Sequence, residues 1–254
     1  MLCAMVNELD VVRDVSAKLE QVGIDYMLTG SMAMNYYAQP RLTRDIDVIV
    51  ALGPGDVDCI VNLFQTQYYV SRGAVVSAIV QRSMFNIIHN ESVIKVDFII
   101  KRESQYRSLE FARRAEVMID DFSVWIVSKE DLIISKLSWA EDSHSELQLR
   151  DVRNLTATGC DRAYVEKVDN RAWVGEIVAG MPSIKDTPPE VAEMVRARLM
   201  ARSPEERFMM GVEMFEAARA MVLASLPKDL PPVALKRQLF ERTYGFPAPE
   251  DWLK

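Results

Sequence analysis

Asp45 and Asp47 lie two residues apart in Arg44-Asp-Ile-Asp-Val-Ile-Val50, a run that reads as a strand. Strand side chains alternate, so the two carboxylates share one face. Like charges held that close repel, yet the following Val48-Ile49-Val50 reads as buried core. A divalent cation resolves the conflict. Mg²⁺ takes hard oxygen ligands, often one or two carboxylates together with substrate phosphates. Asp97 occupies the same kind of setting, an apolar run from Val93 to Ile100 interrupted by Lys95 and by Asp97 itself. With that strand beside the first, Asp97 completes a three-carboxylate cluster, and two metals about 3.5–4 Å apart could clamp an attacking and a leaving oxygen. Upstream, Gly30-Ser31 closes a short strand at a helix start, where free backbone N–H groups suit a phosphate and Ser31 adds a hydroxyl.

The elements that must position these residues alternate. The spacing predicts a helix over 5–22 (Val6, Leu9, Val12, Val15, Leu19, Val22) that stops at Gly23, a strand over 25–29 and a short helix over 31–37. A strand over 45–52 closes at Gly53-Pro-Gly. There follow a helix over 57–65, a strand over 68–71, a helix over 75–82 and a hairpin of 84–89 with 92–100 across Asn90-Glu91. Beyond Lys101 come a helix over 104–113, two short strands at 116–119 and 123–127, and then only helices: 129–140, 144–157, 161–179, 189–201, 204–226 and 232–243. Ser128-Lys-Glu-Asp131 resembles a capping box with Asp in the usual Glu position, and Ser203-Pro-Glu-Glu206 is a second one with Pro at the first helical position. Phe208, Val212, Phe215, Ala218 and Val222 continue one apolar face. The expected class is α/β (α+β): a mixed sheet with flanking helices over 1–160, followed by a helical region over 161–254.

Gly-Ser, about a dozen residues, Asp-x-Asp on a strand and a later lone strand Asp resemble the nucleotidyltransferase superfamily with the polymerase-β-like fold. The string from Thr29 to Val50 is similar to its minimal branch, which holds the abortive-infection and toxin-type enzymes and the aminoglycoside nucleotidyltransferases. The segment from Ser128 to Leu137 resembles the helix that follows the sheet in the toxin-like group, where a Lys faces the nucleotide. The likeness covers roughly residues 5–155. It implies Gly30 and Ser31 on the triphosphate, Asp45 and Asp47 as ligands of both metals, and Asp97 as ligand of the catalytic metal and proton acceptor. It implies Lys136 on phosphate, and Arg41, Thr43 and Arg44 touching nucleotide or orienting the carboxylates. The reaction implied is in-line attack of an acceptor hydroxyl on the α-phosphorus of a nucleoside triphosphate, with Mg²⁺ (or Mn²⁺) and release of pyrophosphate. The expected acceptor is RNA or protein, as for a toxin with a cognate antitoxin. The alternatives are a small hydroxylated molecule such as an aminoglycoside, or a non-catalytic module that binds nucleotide or a partner. Asp45→Ala or Asp47→Ala should abolish Mg²⁺-dependent nucleotide binding and leave the fold intact, or more stable once repulsion is removed.

Other residues carry weaker signals. Lys136 reads equally as a phosphate contact or as a snorkelling lysine with its ammonium in water. Arg150-Asp151 reads as a surface charge pair, or Asp151 holds Lys136 if the two helices pack antiparallel. Lys101, Arg102, Arg107, Arg113 and Arg114 form a basic cluster that reads first as a solvated helix face and second as a landing site for an anionic acceptor. Met209, Met210, Met214 and Met221 read as adaptable core, and His89 as an ordinary hairpin residue. His144, beside Ser143 and Glu146, lacks the nucleophile elbow of a hydrolase.

The 254 residues carry 30 basic and 37 acidic side chains, net −7, all of it within residues 1–181, because 182–254 balance at 11 of each. Nine of the 11 prolines also fall in 182–254, so composition shifts near 180–190. The acidic balance argues against non-specific nucleic-acid coating. Three scattered cysteines without CxxC suit a reducing cytoplasm. No apolar run approaches a membrane span.

Overall fold

A computed structural model describes residues 6–169 and 188–253, apart from the side chains of Asp142 and Asp169. The part of the expected 161–179 helix beyond Asp169 lies outside them. The described chain divides into two compact units, each drawn from separated stretches: one from residues 1–28, 42–102 and 211–254, the other from 29–41 and 103–210.

The first unit opens with α1 (Glu8–Gln21), three residues later than its periodicity suggests, because a reciprocal capping box between Asn7 and Asp10 sets its start. Gly23, at φ +69°, turns the chain out of it. The strands β1 (Tyr26–Thr29), β2 (Ile46–Val50), β3 (Tyr68–Val70), β4 (Met84–His89) and β5 (Lys95–Ile100) lie in the order β3-β4-β5-β2-β1. β2 and β5 run parallel, whereas β4 is antiparallel to both β3 and β5, so the sheet is mixed. Helices α3 (Val57–Phe64) and α4 (Arg72–Gln81) follow β2 and β3, with Pro54–Asp56 forming one 3-10 turn between β2 and α3. The β4–β5 link is longer than a two-residue hairpin. Val93 takes φ +65° and its N–H returns to the His89 carbonyl, which delays β5 to Lys95.

Alternation sorts the faces of β2 and β5. Ile46, Val48, Val50, Val96, Phe98 and Ile100 are all nearly or wholly buried on one side, where Phe98 meets the rings of Phe64 and Phe85. Asp47 and Asp97 occupy the opposite side. The end of the chain completes this unit. Leu239 and Phe240 of α11 (Pro232–Tyr244), with Leu226, Ala248 and Trp252, pack on Ile88 and Val93, and the Trp252 indole donates to Asn90.

The second unit contains α2 (Gly30–Tyr37), α5 (Gln105–Ala112), the antiparallel pair β6 (Ala115–Ile119) and β7 (Phe122–Ile126), then α6 (Lys129–Ser143), α7 (Glu146–Thr156), α8 (Arg162–Asp169) and α9 (Pro189–Met200). Helix α10 (Pro204–Ser225) begins here and ends in the first unit. Ser203 and Glu206 form the expected reciprocal cap of α10. At α6 only half of the pattern forms. Ser128 accepts from the Asp131 N–H, but the Asp131 carboxylate takes the Ser128 hydroxyl, Arg113 and the Tyr164 phenol. An aspartate, one methylene shorter than glutamate, turns inward here and is fully buried. Mixed sheet, flanking helices and a helical remainder are the architecture expected from the sequence.

Candidate functional site

The parallel register places Asp47 directly beside Asp97. Continued by one residue, it places Asp45 beside Lys95, so four charged side chains share the face opposite the apolar core. Asp97 is also paired with Asn86 of β4. The Lys95 ammonium lies 2.8 Å from Asp45 Oδ1 and 2.5 Å from Asp97 Oδ2. Lys95 and Asp97 are buried, whereas the Asp45 side chain is 40 % exposed. Burial alone would lower the Lys95 pKa. Asp97 and Asp45 outweigh it and hold the ammonium above its ordinary value. Burial pushes the Asp97 carboxyl up against the pull of Lys95, and its Oδ1 is buried with no hydrogen-bond partner.

Tyr244, at the end of α11, lies under this group. Its hydroxyl accepts the Lys95 backbone N–H at 2.8 Å, and its ring is 5.5 Å from the ammonium. Burial drives its phenol well above its usual range. Thr43, also buried, donates to the Asp45 carbonyl at 3.3 Å and so shapes the approach to β2. Arg44 is exposed. Glu8 on α1 is fully buried with neither carboxylate oxygen hydrogen-bonded. Burial, then Glu216 and Asp45, raises its pKa well above the ordinary carboxyl range. Sequence reasoning missed Glu8, although it lies on the same α1 stripe as Val12, Val15 and Leu19.

A carboxylate triad was expected to hold two divalent ions. The aspartates do share a face, and the orphaned Asp97 Oδ1 is a hard oxygen of the required type. Even so, the described residues contain no group of three or more His, Cys, Asp or Glu side chains placed to hold a metal. In this arrangement the Lys95 ammonium occupies the point on which Asp45 and Asp97 converge, so a divalent ion would share these oxygens only by displacing it.

The second unit gathers charges of the opposite balance. Gly30 takes φ +65° at the junction of β1 and α2, a turn that suits glycine, and Ser31 follows it. Arg41 donates to Ser31 Oγ at 2.5 Å and forks onto Asp151 through Nε at 2.8 Å and Nη2 at 2.6 Å. Lys136 of α6 meets the same carboxylate at 2.7 Å and Gln148 at 3.1 Å. Asn35 holds the Arg41 backbone at both its N–H and its carbonyl. Lys136 is therefore buried and paired rather than snorkelling. Asp151 is a buried anchor rather than half of a surface pair, because α6 and α7 pack together. Burial would raise the Asp151 pKa, but Arg41 and Lys136 bring it below its ordinary value. Arg41 and Asp151 are 110 residues apart, and no local spacing announces their pairing.

The expected basic face is largely internal bonding. Arg107 pairs with the buried Glu110, Arg113 with Asp131 and the face of the Tyr164 ring, and Arg114 stacks on Phe111 and Trp125. His89 is a hairpin residue, buried against Tyr68, with its Nδ1 on Ser92. Met221 is 72 % exposed and is not core. No described helix is long and apolar enough to cross a membrane.

No family model and no curated protein matches the chain in sequence. Solved structures similar to it are nucleotidyltransferases or nucleotidyltransferase-like. A lincomycin-bound lincosamide antibiotic adenylyltransferase is 16% identical over 60% of this chain and 98% of its own, TM-score 0.41. An antigenic nucleotidyltransferase-like protein from Paracoccidioides brasiliensis is 17% identical over 66% of this chain and 90% of its own, TM-score 0.43. The antibiotic-resistance factor ANT(2'')-Ia is 11% identical over 68% of this chain and 94% of its own, TM-score 0.45.

Proposed function

We propose that the protein is a nucleotidyltransferase that moves a nucleoside monophosphate from a nucleoside triphosphate to an acceptor hydroxyl. The observation that carries this reading is the pairing of Asp47 with Asp97 on parallel strands, with Asp45 two residues before, on the face opposite the apolar core. The acceptor oxygen forms a bond to the α-phosphorus, the bond to the bridging oxygen breaks, pyrophosphate leaves and the hydroxyl proton passes to a base. Asp97 is the proposed acceptor of that proton. Gly30 and Ser31, with the cations Arg41 and Lys136, are the proposed partners of phosphate oxygens, and Arg41 already reaches the Ser31 hydroxyl. Asp151 orients both cations through its ion pairs with them. Mg²⁺ or Mn²⁺ belongs to the proposal as the expected cation of the three aspartates.

The toxin-type reading takes RNA or protein as acceptor and includes a cognate antitoxin. A second acceptor class is a small hydroxylated molecule such as an aminoglycoside, whose positive charge suits the acidic balance of residues 1–181. The test incubates the whole chain with each α-labelled triphosphate and, separately, total RNA, cell-extract protein and an amino sugar. Label is expected on one acceptor class with the parent chain and on none with Asp47→Asn. Equal labelling by parent and variant overturns the mechanism.

A further inference from the structure

Lys95 stands where Asp45 and Asp97 converge, the place a metal bound by these carboxylates would take. Its position follows from the strand period: two residues before Asp97, it must face the same side. Its ammonium is bonded to one oxygen of Asp97 and one of Asp45 and is almost wholly out of water. The backbone beneath it is fixed, because Tyr244 accepts its N–H and presents a ring to its charge. The four-carbon stem is the mobile part. The Asp97 oxygen that the ammonium does not reach is buried without a hydrogen-bond partner.

We infer that Lys95 is the resident cation of the Asp45–Asp97 pair, and that a divalent ion takes these oxygens only by displacing its ammonium. The inference rests on the proposed nucleotidyl transfer for its interest and on the ion pairs for its geometry. Lys95 is thus a positioning residue. It keeps two close carboxylates from repelling one another in the free protein, and it opposes metal entry until a ligand compensates. The C-terminal helix takes part, since α11 supplies the Tyr244 that anchors the lysine backbone.

The test measures Mn²⁺ binding to the full chain, by spin resonance of the free ion, in the parent and in Lys95→Met, without nucleotide. The variant is expected to bind about tenfold more tightly or better, a difference of roughly 1.4 kcal/mol. Equal or weaker binding in the variant overturns the role of Lys95 and leaves the metal reading standing. Binding in neither protein overturns both. A second measurement avoids any variant that fails to fold: amine-reactive labelling of Lys95 in the parent chain, followed by mass spectrometry. Labelling is expected to be slow in the free chain and several-fold faster when Mn²⁺ is bound, as the displaced ammonium reaches solvent. Unchanged or slower labelling in the Mn²⁺-bound parent overturns the inference.

Discussion

The two units hold charge clusters of mirrored composition. In the first, one ammonium serves two carboxylates, Asp45 and Asp97, with Asp47 beside them and Glu8, buried without a hydrogen bond to its carboxyl oxygens, in the same unit. In the second, one carboxylate serves two cations, as Asp151 joins Arg41 to Lys136. A cluster short of positive charge suits an incoming cation, and one with cation to spare suits phosphate oxygens. The construction also differs. The carboxylate face follows from strand alternation and register, whereas the cationic cluster joins Lys136 of α6 and Asp151 of α7 to a loop residue 110 positions before Asp151.

Either cluster can be disrupted by a single substitution. The largest expected effect is chemical: Asp97→Asn lowers nucleotidyl transfer by about 10³-fold or more, since it removes the proposed proton acceptor and charge stabilisation of several kcal/mol. The check is single-turnover transfer from the labelled triphosphate. Repulsion between Asp45 and Asp97 is already relieved by Lys95, so the stabilisation expected for Asp45→Ala from the carboxylates alone does not follow. Denaturant unfolding of that variant should show no gain over the parent.

At the other cluster, Asp151→Asn strands two cations, of which Lys136 is almost fully buried. It should destabilise the fold by about 3–5 kcal/mol, read from urea midpoints at pH 7. The Asp151 pKa is lower folded than unfolded, so its stabilisation is complete above the ordinary carboxyl value and disappears as pH falls through the depressed one. The difference between parent and variant should therefore persist at pH 5 and shrink in stronger acid.

Glu8→Gln should act with the opposite sign. The Glu8 pKa is raised, so the folded chain keeps its proton after the unfolded chain has lost it, and stability falls as pH rises above the ordinary carboxyl value. The variant should gain about 1–3 kcal/mol near pH 8 and nothing near pH 4, measured by calorimetry at both. The smallest effect belongs to a cap away from both clusters: Ser203→Ala should cost about 1 kcal/mol of unfolding free energy, with transfer activity unchanged.

The amino-acid order by itself determined the alternation of strands and helices, the helix ends marked by Gly23 and Ser203, the common face of Asp45, Asp47 and Asp97, and the turn at Gly30-Ser31. All of these follow from periods and caps a few residues long, which local backbone geometry enforces. Tertiary structure alone decided what surrounds those residues. The parallel pairing of β2 with β5 brought Lys95 between the carboxylates, the packing of α6 on α7 buried Asp151 with Arg41 and Lys136, and the chain's end set Tyr244 beneath Lys95. The long-range members of these clusters, Lys95 with Asp45, Arg41 with Asp151 and Tyr244 with Lys95, join positions from about fifty to one hundred and fifty residues apart. No local period encodes them, because they arise from the burial of apolar faces, which draws whichever charges lie on those elements into each other's reach.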